Sequence, residues 1–161
     1  MSLRLYFLRH GQAGNPDEWR GDDAERPLTP DGKRRMKREA AAIRAMDLRL
    51  GLILTSPLVR AHQTAEIVAE TLGSGARLLT EPRLAPGFGR KRLKALLADH
   101  GDAAALMLVG HEPDFSETIT DLIGGGRLEV KKGALALVEL EDPASLAGRL
   151  VWLIPPKALD R

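Results

Sequence analysis

The chain has 161 residues, a net charge of +2 and 43% apolar residues, which is ordinary for one folded domain with a real core. It contains no cysteine, and this excludes disulfides, thiol nucleophiles and zinc–thiolate centres. No apolar run approaches the roughly 20 residues that cross a bilayer, and the segment from Met1 to Leu8 is too short and too quickly charged for a secretory leader. The composition therefore predicts a cytoplasmic protein that uses no membrane, built as a single domain over residues 1–161.

In chain order, Leu3 to Leu8 reads as a buried first strand. Thr29-Pro30-Asp31-Gly32 opens a helix running to about Met46, with Thr29 as N-cap and Pro30 at the first helical position. Met36, Ala40 and Ile43 fall on one face of it. Leu52 to Leu54 is a short strand, followed by a helix from Val59 to Leu72 that Gly73 ends. Arg77 to Thr80 is a further strand and Arg90 to Asp99 a helix. Leu106 to Val109 is the clearest buried strand; a helix from Asp114 to Ile123 follows and breaks at Gly124-Gly125-Gly126. Gly133 to Leu140 and Arg149 to Ile154 read as antiparallel strands, the first of them a candidate sheet edge. Alternating strands and helices predict an α/β three-layer sandwich with a mostly parallel central sheet and helices on both faces.

Ligands of such sheets bind at the carboxyl ends of the strands. Three segments put ionisable residues there: Arg9-His10-Gly11, Ser56-Pro57-Leu58-Val59-Arg60 and Gly110-His111-Glu112-Pro113. If the strands are parallel, Arg9, Arg60, His10 and His111 converge on one rim. Guanidinium forks match phosphate oxygens, and two histidines can divide attack and charge stabilisation. Gly11 lets backbone approach a ligand closely. Helices starting near Arg60 and Asp114 add free N–H groups to the same rim. The layout predicts an anion site.

These three segments, in this order and with Arg-Ala-His-Gln-Thr-Ala continuing the second, resemble the histidine phosphatase superfamily, which includes the phosphoglycerate mutases. Arg26-Pro27-Leu28-Thr29-Pro30-Asp31-Gly32 and the short chain resemble its SixA-like branch, the phosphohistidine phosphatases. The resemblance spans roughly residues 3–125. It implies a phosphoglycerate mutase-like fold, His10 as the nucleophile that becomes phosphorylated, and Arg9, Arg60, His111 and Gly11 around the phosphoryl group. It also implies neither cofactor nor metal. Neutral His10 attacks phosphorus in line, the neighbouring cations disfavour its protonation, and water then releases inorganic phosphate.

Many members carry a leaving-group acid in a Leu-x-Glu pattern. Here the corresponding stretch is Leu84-Ala85-Pro86, and Glu81 is out of register. The candidate acid is Asp23, in Asp23-Ala24-Glu25-Arg26-Pro27, with Asp22 and Glu25 behind it. Asn15 is close to, but not aligned with, an Asn of the mutases. An alkoxide needs protonation as it leaves, whereas imidazole, with a reference pKa of about 6.5, leaves readily. A pocket without a strong acid thus favours phosphohistidine on a phosphoprotein, for example a histidine phosphotransfer domain. The alternatives are a broad small-molecule phosphomonoesterase and a phosphoprotein-binding module with little turnover.

Arg90-Lys91-Arg92-Leu93-Lys94 is read as a basic segment near the rim that steers an acidic partner. It and Lys33 to Arg38 lack the interleaved aromatics of a nucleic-acid surface, and the chain has only six aromatic residues. No nucleic-acid partner is expected. His62 is placed on a helix surface, His100 at a helix end and Trp19 as a loop anchor.

Overall fold

The computed structural model describes residues 2–73 and 75–161; Met1, the first residue of the segment weighed above as a leader, and Ser74 lie outside them. Among the described residues six strands form one sheet in the order β3-β2-β4-β1-β5-β6. The strands are β1 (Leu3–Arg9), β2 (Leu52–Thr55), β3 (Arg77–Thr80), β4 (Ala105–Gly110), β5 (Leu135–Leu140) and β6 (Gly148–Ile154). The first four run parallel; β5 is antiparallel to β1, and β6 to β5. The helices are α1 (Pro30–Ala45), α2 (Val59–Leu72), α3 (Arg90–His100), α4 (Asp114–Leu122) and the short α5 (Pro156–Leu159). The alternation of strands and helices in the sequence is thus realised as an α/β sandwich.

Successive side chains of a strand face opposite sides, and β1 serves two cores in this way. Leu5 and Phe7 face the layer of α3 and α4 and meet Leu93, Leu96, Phe115 and Ile119. Tyr6 and Leu8 face α1 and α2 and meet Met36, Ile43, Ala61 and Val68. That double burial explains why β1 and β4 read as continuous apolar runs instead of alternating ones.

The helix signals in the sequence are realised locally. The Thr29 side chain accepts a hydrogen bond from Gly32 N (2.9 Å), and Gly73 ends α2 with φ 80°. Gly32 is required by close approach: a Cβ there would lie 2.1 Å from the Gln12 carbonyl oxygen. Among the described residues no helix is long and apolar enough to cross a membrane.

Two expectations are corrected. The strand read as a candidate sheet edge is internal, because β5 pairs with β1 on one side and β6 on the other. The edges are β3 and β6. The basic start of α3 is not at the rim. Arg90 donates to the carbonyls of Ser145 and Leu146 (3.2 and 3.1 Å). These belong to the β5–β6 connection, which leaves the sheet where Leu140 lies opposite Leu3, the start of β1. That is the end of the sheet away from His10.

Phe115 of α4 packs edge-on against Phe7 with ring centroids 5.1 Å apart, and Gly110 leaves room for it. A Cβ at Gly110 would lie 2.7 Å from the Phe115 ring. Gly110→Ala should therefore cost about 1–3 kcal/mol, as overpacked core positions do. Urea unfolding should show a lower midpoint with an unchanged slope.

Candidate active site

The order β2-β4-β1 sets the carboxyl ends of three neighbouring strands side by side. Arg9 lies opposite Gly110, His10 N donates to Gly110 O (3.1 Å), and Ser56 N donates to Val109 O (3.0 Å). The histidines that follow β1 and β4 thus face each other, with ring centroids 5.3 Å apart. Arg60 enters from the first turn of α2, which starts after the Ser56 turn. His10, His111 and Arg60 are 6%, 4% and 6% exposed, an unusual degree of burial for ionisable groups. The structure brings together Arg9, His10, Gly11, Arg60 and His111, as the sequence predicts.

Local hydrogen bonds fix how each ring presents itself. His10 Nδ1 lies 2.7 Å from Gly11 O. A carbonyl only accepts, so Nδ1 carries the proton and Nε2 keeps its lone pair. Gly11 N donates to Thr64 Oγ1 (3.1 Å), and that hydroxyl donates to Arg60 O (2.8 Å), which ties the loop after β1 to α2. A Cβ at Gly11 would lie 2.6 Å from the Met36 side chain, so glycine here also serves packing. His111 Nε2 lies 2.7 Å from Ser56 Oγ, which also accepts from Leu58 N (3.2 Å).

Burial, reinforced by His111, Arg60 and Arg9, pushes His10 down to about 3 against the hydrogen bond to Gly11. Burial, with Arg60 and Arg9 behind it, pushes His111 down to about 4. Both rings are neutral at physiological pH. Burial also lowers the pKa of Arg9 and Arg60, and the Nε atom of each is buried without a partner. Orphaned buried donors each cost about 1–3 kcal/mol, and an oxyanion at this rim supplies acceptors for them. The site is a cup of two desolvated cations and two neutral imidazoles, one with a free lone pair.

Asp23 is present but is not placed as an acid. Its carboxylate bonds Arg26 Nε (2.9 Å) and Arg60 Nη2 (3.0 Å), while its carbonyl accepts from Arg60 Nη1 (2.9 Å). The hydrogen bond from Arg26 and the charges of Arg60 and Arg26 hold it below the usual carboxylate range. Asp23, read from the sequence as the candidate acid, is thus engaged here by two guanidiniums and stands as the counter-charge that orients Arg60. Glu81 is buried and paired with Arg83 and His100. Asn15 caps an exposed turn through Asp17 N (2.9 Å), and Trp19 Nε1 donates to Asp22 O (2.9 Å) as a loop anchor. His62 sits on the surface of α2, paired with Glu66. Among the described residues no cluster of three or more His, Asp or Glu is arranged to hold a metal ion.

Two side chains escape the sequence reading. Arg26 is 8% exposed and donates to Gly14 O (2.5 Å) as well as to Asp23; its three-residue spacing from Asp23 was the available signal. Lys132 carries no local signal. It comes to the rim because β5 starts beside Leu8, and its ammonium, lowered in pKa first by burial, feels Arg9, Arg26 and Arg60.

Residues 5–90 match the family model of the histidine phosphatase superfamily, branch 1. An uncharacterised protein of Picosynechococcus sp. is 38% identical over 142 residues, covering 83% of this chain and 82% of that protein. The phosphohistidine phosphatase SixA of Escherichia coli K12 is 25% identical over 159 residues, covering 96% of this chain and 94% of that protein. A solved structure of the protein histidine phosphatase SixA complexed with tungstate superposes with a TM-score of 0.82 at 26% identity, over 98% of this chain and 99% of that one.

Two outcomes test this description. The His10 ring should keep its neutral NMR shifts from pH 8 down to 5; a half-titration near 6.5 would contradict the desolvated pocket. Since the unfolded chain binds that proton near 6.5 and the folded chain only near 3, stability should fall as pH drops through this window. That acid loss should be smaller in His10→Ala. Asp23→Asn, in turn, should lower kcat/KM by similar factors, up to about 10²-fold, for aryl phosphates with good and with poor leaving groups. A loss that grows as the leaving group becomes poorer would assign Asp23 as the acid.

Proposed function

The chain belongs to the histidine phosphatase superfamily, and from that premise we propose that it is a phosphatase that removes the phosphoryl group from phosphohistidine on a phosphoprotein, with His10 as covalent nucleophile. The observation that carries the reading is the His10 ring: desolvated, neutral, with Nδ1 bound to Gly11 O and Nε2 left free beside the half-buried Arg9 and the buried Arg60 guanidiniums.

In the first step Nε2 of His10 attacks phosphorus in line, and the bond from phosphorus to the substrate nitrogen breaks with its electron pair, so that a substrate ring already protonated on its other nitrogen leaves as neutral imidazole. Arg9, Arg60 and His111 hold the equatorial oxygens, where charge must be stabilised without reorganisation. The Asp23 clamp keeps the Arg60 fork in place. In the second step water attacks the phosphorylated His10, returns the neutral imidazole and releases inorganic phosphate. No metal is required by these steps.

The engagement of three carboxylates with other partners supports the choice of substrate. Asp23 is held ionised, Glu81 is paired elsewhere, and Glu112 accepts from Ser116 N (2.7 Å) at the start of α4. A neutral imidazole leaves with far less help than an alkoxide. The similarity to a phosphohistidine phosphatase over nearly the full length of both chains supports the same reading.

The test is phosphate release, in excess EDTA, from a phosphohistidine-bearing protein and from an alkyl phosphate, by wild type and His10→Ala. Release from phosphohistidine alone, abolished in His10→Ala, is the expected result. Comparable release from both substrates would make the protein a broad phosphomonoesterase. Binding without release from either would make it a phosphoprotein-binding module.

A further inference from the structure

A cavity of about 320 Å³ opens beside the loop that carries His10. Gly11 and Gln12 form one wall, Arg35 and Glu39 of α1 another, and Lys132 and Lys157 stand on the remaining sides. The topology brings these distant residues together. β5 starts beside Leu8, so the segment leading into it crosses the rim; Gly133 N donates to the carbonyls of both Arg9 and His10 (3.1 Å each). β6 ends opposite Leu135, at the same rim, and delivers the chain directly into α5.

The charge of this cavity is unbalanced. Among the described residues neither Lys132 nor Lys157 forms an ion pair. Arg35 is paired with Asp31, and Asp160, also on the wall, is taken by Arg38. Glu39 is 3% exposed, and its Oε2 has no partner. Burial, with Asp160 behind it and Arg35 opposing, pushes Glu39 up to about 8. At neutral pH it is therefore an uncharged acid that offers an O–H and does not repel an anion. The cavity has two unpaired ammonium groups and a neutral acid, and it shares Lys132 with the field of Arg9, Arg26 and Arg60. The phosphoryl group needs none of these additional groups.

We propose that this cavity is a second subsite that receives an acidic side chain, Asp or Glu, flanking the phosphorylated residue of the protein substrate, held by Lys132 and Lys157. The assignment rests on the phosphohistidine reading above and adds a preference about sequence context. A side-chain carboxylate fits the volume, accepts from both ammonium groups and reaches the cavity while the neighbouring phosphoryl group occupies the histidine cup. Lys132, which belongs to both fields, sets the spacing between the two anions.

The experiment uses phosphohistidine peptides that differ only in Glu or Gln at each position within three residues of the phosphorylated histidine. Wild type should favour one Glu peptide over its Gln counterpart by about tenfold in kcat/KM, chiefly through KM, the scale of a charge-assisted hydrogen bond. Lys132→Met with Lys157→Met should bring that ratio close to one. Lys157→Met alone should reduce it in part. Equal losses on both peptides, or no wild-type preference at any position, would overturn the subsite while leaving the phosphatase reading intact. No phosphate release from any peptide by wild type would refute the phosphohistidine reading and this inference together. A folded double variant, checked by its melting temperature, is part of the expected result.

Discussion

Two histidines can serve one phosphoryl group only if the strands that carry them end level. The parallel pairing of β1 with β4, which sets Arg9 opposite Gly110, imposes that level ending. From it follow the hydrogen bond of His10 N to Gly110 O and the 5.3 Å separation of the two rings. The same sheet order places β2 against β4, so the Ser56 hydroxyl meets His111, and α2 carries Arg60 back over the rim. A slip of β1 by one residue would exchange its two faces and move Leu5 and Phe7 out of one core and Tyr6 and Leu8 out of the other. Core packing on both faces is thus what holds the catalytic register.

Within that frame the electrostatics are arranged by burial. Desolvation is the largest cause of the low pKa of both histidines and of the lowered pKa of Arg9 and Arg60. Charged groups are costly to bury without partners, and the unpartnered Nε atoms of Arg9 and Arg60 show where the cost is left standing. In the proposed reaction an arriving phosphoryl group relieves it. Asp23 belongs to this arrangement as the counter-charge of Arg60 and Arg26, which is why its carboxylate is unsuited to giving up a proton.

The remaining half of the rim is built by the antiparallel strands. Val130 accepts from Arg9 Nη1 (3.1 Å), and Gly133, at φ 83°, clasps the Arg9 and His10 carbonyls. A Cβ at Gly133 would lie 2.6 Å from the Glu39 carboxyl, so this glycine also lets α1 reach the loop. The parallel half supplies the cup of histidines and arginines, and the antiparallel half supplies the groups beside it.

The sequence by itself determined the elements and which histidines and arginines meet at the rim. Thr29-Pro30, Gly73 and the triple glycine at 124–126 punctuate the chain through local backbone chemistry, and the Arg-His-Gly, Ser-Pro-x-x-Arg and Gly-His motifs sit directly after apolar runs. Such signals are contiguous, so they survive without a fold. Only the tertiary structure decided what surrounds Asp23, Lys132 and Glu39, that β5 is internal, and that Arg90 faces away from the rim. Each of these depends on which residues from distant segments share a space. Asp23 is the counter-charge of an arginine, Arg60, thirty-seven residues away, and Lys132 lies beside the site because β5 returns antiparallel to β1. Charge and protonation follow from proximity and desolvation, and neither is written in the local order of residues.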